Sequence, residues 1–159
     1  MNKDSQGLAR TIVLSNPAAT TALGDEIAAA LVRGAAVALK GDLGAGKTTL
    51  ARAILRALGV RESVPSPTFT LVQTYETKRF PVRHYDFYRI ESEREIEELG
   101  LDDALTEGAA LIEWPERAGA LLPKNALQVG LAIVNGDERR ATLTGSADWA
   151  AGIGRDLGR

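Results

Sequence analysis

An α/β fold is predicted by three observations. The apolar run Ala35-Ala36-Val37-Ala38-Leu39 has the length and continuity of a buried parallel strand. A glycine-rich segment follows it, Gly41-Asp42-Leu43-Gly44-Ala45-Gly46-Lys47-Thr48, which reads G-x-x-x-x-G-K-T, a complete Walker A motif. Next comes a stretch, Thr49 to Leu58, with apolar residues at Leu50, Ile54, Leu55 and Leu58, the spacing of one helix face, and with Gly59 placed to end it. Strand, glycine loop and helix in that order, with further strand-length runs along the chain, predict a three-layer P-loop NTPase fold. Its sheet is expected to be mixed and to include antiparallel hairpins, within a single domain over 1–159.

The remaining elements follow in chain order. Residues 11–14 (Thr-Ile-Val-Leu) form a short strand. Asn16 is then an N-cap with Pro17 at the first helical position, and Leu23, Ile27 and Leu31 line one face of a helix that stops near Gly34. After the Walker helix, Val64-Pro65-Ser66-Pro67-Thr68 is too proline-rich for regular structure. Phe69 to Tyr75 and Phe80 to Tyr85 read as an antiparallel hairpin joined by the polar turn Glu76 to Arg79. Ser92-Glu93-Arg94-Glu95 has the pattern of a capping box opening an acidic helix that ends at Gly100. Ala109 to Ile112 is another inner strand, ending in Glu113-Trp114-Pro115. Leu127, Val129, Leu131 and Ile133 alternate as a half-buried strand, and Asn135-Gly136-Asp137 turns it into Arg140 to Thr144. Ala147 to Leu157 is expected to be a terminal helix.

Composition narrows the function. The 159 residues carry 45% hydrophobic content, enough for one core, with no run long enough for a membrane span. No cysteine is present, which removes disulfides, thiolate zinc sites and cysteine nucleophiles. The N-terminal residues Met1 to Arg10 lack the apolar centre of a signal peptide, so a cytoplasmic protein is expected. A net charge of −2 supplies no basic field for a polyanion, although Lys78, Arg79 and Arg83 are a candidate local patch.

The chemistry expected of the Walker loop is phosphate binding. Residues Asp42 to Thr49 turn backbone N–H groups inward, Lys47 reaches the β- and γ-phosphates, and the Thr48 hydroxyl can ligate Mg²⁺. The N-terminus of the helix adds partial positive charge. Such a site needs a carboxylate at a facing strand end. Glu113 has that setting, the alternative being an ordinary strand-terminal glutamate. Asp86 ends its strand before Phe87-Tyr88, either to start a turn or to orient the attacking water. Thr68 is either a hydroxyl that senses the γ-phosphate and Mg²⁺ or simply a strand residue. Trp114 is core or neighbour to the nucleotide, and Arg140 is a surface charge or a nucleotide contact. His84, the only histidine, is read as packed or solvent-facing. No N-K-x-D sequence occurs, which favours ATP over GTP, and no arginine-rich lid follows Pro115. The leading expectation is therefore an ATPase. Its rivals are a small-molecule phosphotransferase, weakened by the missing lid, and a non-catalytic nucleotide switch.

Five blocks carry a resemblance: Gly-Asp-Leu-Gly-Ala-Gly-Lys-Thr-Thr (41–49), Ser-Pro-Thr-Phe-Thr-Leu-Val (66–72), His-Tyr-Asp-Phe-Tyr-Arg (84–89), Glu-Glu-Leu-Gly-Leu (97–101) and Ile-Glu-Trp-Pro (112–115). In order and spacing the chain resembles the TsaE (YjeE) family over about Thr20 to Arg140. These are small bacterial ATPases required for threonylcarbamoyl modification of adenosine in tRNA. The resemblance implies that Thr48 and Glu113 contact Mg²⁺, that residues 42–49 wrap the phosphates of ATP, and that Asp86 serves hydrolysis. It also places Thr20, Trp114 and Arg140 beside the nucleotide. It implies TsaD and TsaB as partners, with tRNA engaged indirectly through their complex. In that scheme ATP hydrolysis resets or drives the TsaB–TsaD assembly between turnovers.

Overall fold

The computed structural model describes residues 7–153. Seven strands form one mixed sheet: β1 (Leu8–Leu14), β2 (Ala36–Lys40), β3 (Val72–Tyr75), β4 (Val82–Asp86), β5 (Ala109–Glu113), β6 (Leu127–Asn135) and β7 (Glu138–Gly145). Their spatial order is β1-β7-β6-β2-β5-β4-β3. The centre, β6-β2-β5-β4, is parallel, and antiparallel pairs β1–β7, β6–β7 and β3–β4 flank it.

The helices are α1 (Pro17–Ala30), α2 (Lys47–Ala57), α3 (Glu93–Glu98), α4 (Leu101–Glu107) and α5 (Ala147–Gly152), with a 3₁₀ segment at Pro115–Leu121. Period-two alternation divides the sheet between two apolar clusters. Val37, Leu39, Leu111, Val129 and Leu143 pack with Leu23 and Ile27 of α1 and with Leu50 and Ile54 of α2. Ala36, Ala110, Ile112 and Tyr85 point the other way, onto Ile96, Leu101 and Ala104 of α3 and α4. Each large apolar side chain so buried is worth about 1.5–3 kcal/mol. α1 can lie close on α2 because Gly24 has no side chain; a Cβ there would stand 2.5 Å from Ala53 Cβ.

This is the three-layer α/β architecture that the sequence predicts, and the cap of α1 is the expected one, with Asn16 Oδ1 accepting from Ala19 N at 3.0 Å. Several elements differ from expectation. β1 starts at Leu8, and β3 begins only at Val72. Residues 68–70 form a turn instead of strand, with Phe69 83% exposed and Leu71 in the left-handed region at φ 70°. The reason is the prolines before it, which deny ladder donors and bend the chain away from the sheet edge. The capping box does not form: the Ser92 side chain caps nothing, and Glu95 instead accepts from Glu91 N at 3.5 Å. α4 and the 3₁₀ segment were not anticipated, since each is one or two turns held by tertiary packing of Leu101, Ala104 and Ala118. α5 ends at Gly152, and the expected extension over 154–157 lies outside the described residues. Two of the three residues of the basic cluster are engaged in structure. Arg79 donates to Ala28 O at 2.9 Å, and Arg83 donates to Gly100 O at 3.0 Å. Among the described residues no helix is long and apolar enough to cross a membrane.

Candidate active site

Three of the parallel strands end at the same edge of the sheet, where open α/β folds bind ligands. β2 runs out into the glycine loop, β5 ends at Glu113, and β4 ends at Asp86, whose Cα pairs with that of Glu113. The sequence spaced these groups by dozens of residues, and the parallel register brings them together.

The loop enters α2 through Gly46 at φ 109°, a conformation that strains any residue with a Cβ. No side chain caps the helix, so its first N–H groups are free to meet an anion. Lys47, 5% exposed, donates from Nζ to Gly41 O at 2.5 Å and to Asp42 O at 2.9 Å, and lies 4.4 Å from the centre of the Trp114 ring. Burial lowers its pKa below the usual lysine value of 10.5, opposed by the charges of Glu113, Asp86, Glu116 and Asp42. A buried cation whose direct contacts are two carbonyls and a ring, with no carboxylate hydrogen-bonded to it, is suited to accepting a polyanion.

Thr48 Oγ1 donates to the Glu113 carboxylate, 3.1 Å from Oε1 and 2.9 Å from Oε2. Glu113 is 3% exposed, and its Oε2 also lies 2.7 Å from His84 Nε2. Opposite, Thr68 Oγ1 donates to Asp86 Oδ2 at 3.1 Å and stands 2.8 Å from Ser66 Oγ. Asp86 Oδ1 accepts from Tyr88 N at 2.9 Å, an Asx turn that leaves Oδ2 directed toward Thr68. Trp114 adopts φ 58° and Leu71 φ 70°, the two non-glycine residues with positive φ among those described. Such backbone costs about 1–3 kcal/mol per residue and concentrates at functional sites.

Leu43, Gly44, Gly46, Lys47, Thr48, Thr49, Thr68, Asp86, Glu113 and Trp114 line one cleft. Ala45 and Thr20 line the adjoining one, which shares Gly46 and Thr49 with the first. Asp42 contributes its carbonyl to Lys47. Arg140 is not brought to either cleft. It is exposed and points to the opposite face from Arg139, whose guanidinium donates to Ala45 O at 3.1 Å and Gly44 O at 3.3 Å. Of the two adjacent arginines, the alternation with buried Ala141 and Leu143 identifies Arg139 as the inward one, and it is Arg139 that holds the glycine loop. Sequence reasoning passed over His84, although His84 and Asp86, two apart on β4, must share a face.

Among the described residues no group of three or more His, Cys, Asp or Glu could hold a metal. The convergent oxygens of Thr48 and Glu113 are instead the sparse donor set suited to Mg²⁺, which keeps waters and takes its other ligands from phosphates.

Comparison with known proteins agrees with this arrangement. The family model for "Threonylcarbamoyl adenosine biosynthesis protein TsaE" matches residues 14–141. The tRNA threonylcarbamoyladenosine biosynthesis protein TsaE of Rickettsia bellii is 41% identical over 133 residues, covering 83% of this chain and 92% of its own. The protein of the same name from Bacillus subtilis is 39% identical over 130 residues, 81% of each chain. The crystal structure of Bacillus subtilis YdiB superposes with a TM-score of 0.74 at 29% identity, covering 96% of this chain and 90% of that one. With nearly the whole described chain matched and the Walker loop, Asp86 and Glu113 inside the matched span, the chain belongs to the TsaE family of threonylcarbamoyladenosine biosynthesis proteins.

Proposed function

We propose that this protein is a Mg²⁺-dependent ATPase serving tRNA N6-threonylcarbamoyladenosine formation, acting on the TsaB–TsaD complex and meeting tRNA only through it. The observation that carries the reading is the convergence of Lys47, Thr48 and Glu113 at the free N-terminus of α2, with Asp86 beside Glu113 at the neighbouring strand end and Thr68 bonded to it in the same cleft. Lys47 would exchange its carbonyl partners for the β- and γ-phosphates. The α2 amides would hold the phosphate oxygens, and the adjoining cleft lined by Thr20 would take the nucleoside. Thr48 and Glu113 would hold Mg²⁺, which supplies neutralisation of phosphate charge. Asp86 Oδ2, aided by Thr68, would orient a water and take its proton as the water oxygen bonds to the γ-phosphorus and the bond to the β–γ bridging oxygen breaks. The products are ADP and inorganic phosphate.

The test is phosphate release from ATP by the purified chain with Mg²⁺ and no added acceptor. Wild type is expected to release ADP and phosphate in equal amounts, and Thr48→Ala and Glu113→Ala to lose at least about tenfold in rate. Dependence on an acceptor alcohol, with a phosphorylated product, would replace this reading by a phosphotransferase.

A further inference from the structure

His84 is fully buried on the face of β4 that carries Asp86, and its backbone pairs with Leu111, so Glu113 is its diagonal neighbour on that face. The 2.7 Å contact joins Nε2 to Glu113 Oε2. A carboxylate only accepts, so Nε2 carries the hydrogen. The other ring nitrogen, Nδ1, is buried without a partner, and a hydrogen placed there would have no acceptor. The Nε2–H tautomer is therefore the neutral form that meets the carboxylate, leaving the Nδ1 lone pair unpaired, and it aims a single donor at a single oxygen. Glu113 needs such a contact, because a long side chain at a strand end otherwise samples several rotamers. Imidazole donors of this kind commonly orient the carboxylates and ligands around metals.

We propose that His84 is a positioning residue: its Nε2–H holds the Glu113 carboxylate in the rotamer that turns its remaining lone pairs, with the Thr48 hydroxyl, toward a divalent cation. The inference rests on the Mg²⁺ reading above. It differs from a packing role, which any side chain of similar size would fulfil. Positioning needs a donor at the Nε2 place, which the amide nitrogen of glutamine can reach and the shorter asparagine cannot.

Two measurements test it. The first uses untagged wild-type protein, in which His84 is the sole histidine and its imidazole ¹⁵N resonances are unambiguous. The expected spectrum has hydrogen on Nε2, and the Nε2 signal moves when Mg²⁺ is added to the ADP-bound protein. Absence of hydrogen from Nε2, or no response to Mg²⁺ where Mg²⁺ tightens ADP binding, overturns the proposal. The second is calorimetric ADP affinity with and without Mg²⁺. His84→Gln should keep the wild-type gain from Mg²⁺, whereas His84→Asn and His84→Leu should lose it by about tenfold or more. Equal behaviour of the Gln and Asn variants overturns the proposal, and if the variants fail to fold the wild-type spectrum decides. Should Mg²⁺ leave wild-type ADP affinity unchanged while the Nε2–H tautomer is present, it is the Mg²⁺ reading that falls, and the proposed purpose of the contact with it.

Discussion

On one wall of the cleft, Lys47 and Glu113 are 5% and 3% exposed, and each has at least two partners fixed by strand ends and the glycine loop. On the other wall, the segment from Ser66 to Thr70 is a turn outside the sheet, with Phe69 83% exposed and Thr68 reaching Asp86 by one hydrogen bond. The first wall is supported by the core: Leu50 and Ile54 anchor α2, and Arg139 ties down the Gly44 and Ala45 carbonyls. The second has little buried apolar support, which is the character of segments that open or reorder at low cost. The contrast assigns different tasks. Under the proposed function, phosphate binding would be preorganised by the fold, whereas the geometry for attack would hang on a loop. Under the proposed function, that loop is what a partner would order, and the isolated chain is slow for this reason.

The predictions press on that contrast, beginning with the strongest. Lys47→Ala should remove nucleotide binding. At a ligand concentration of 100 times Kd, wild type gains about 2.7 kcal/mol from mass action, a rise of roughly 5–10 °C in Tm. Thermal unfolding of Lys47→Ala should show no such rise with ATP and Mg²⁺. A retained shift would mean that the preorganised wall is not where the phosphates sit. Next, Asp86→Asn should lower turnover by about 10²–10⁴-fold while ATP affinity stays within about threefold. Equal losses of both would merge the two walls into one. The smallest effect concerns pH. Burial depresses the Lys47 pKa, so between that lowered value and 10.5 the unfolded chain holds a proton that the folded chain has lost. Stability of wild type relative to Lys47→Met should therefore be flat below the folded-state pKa and rise with pH above it. Denaturant unfolding without nucleotide, at several pH values, reads this difference, and a relative stability that falls over that range would contradict the burial of the cation.

What could be read from the chain follows the range of the interactions. The Walker loop is local chemistry, seven consecutive bonds between Gly41 and Thr48, and needs only its flanking strand and helix to be recognised. Glu113 was legible as an acid at the end of an apolar run and Asp86 as an acid at the end of a strand. His84 and Arg139 were not, because their importance depends on which face a strand presents and how it registers with another, facts held in pairings such as His84 with Leu111. The Ser66–Leu71 segment misled for a different reason. Phe69, Thr70 and Leu71 have strand propensity, yet Phe69 and Thr70 lie in a turn, Leu71 O accepts one backbone bond from Asp86 N at 3.0 Å, and the prolines carry the chain outward. α4 depends on burying Leu101 and Ala104 against β5 and its neighbours, a tertiary gain that no short stretch of sequence displays.

The central claim is that one wall is finished and the other waits for a partner. It is tested most directly by single-turnover hydrolysis of bound ATP, with and without the TsaB–TsaD pair, since binding is then already complete. The account predicts a slow rate alone and a rate at least tenfold faster with the pair, with the increase abolished in Asp86→Asn. Equal rates with and without the pair, at saturating partner, would contradict it.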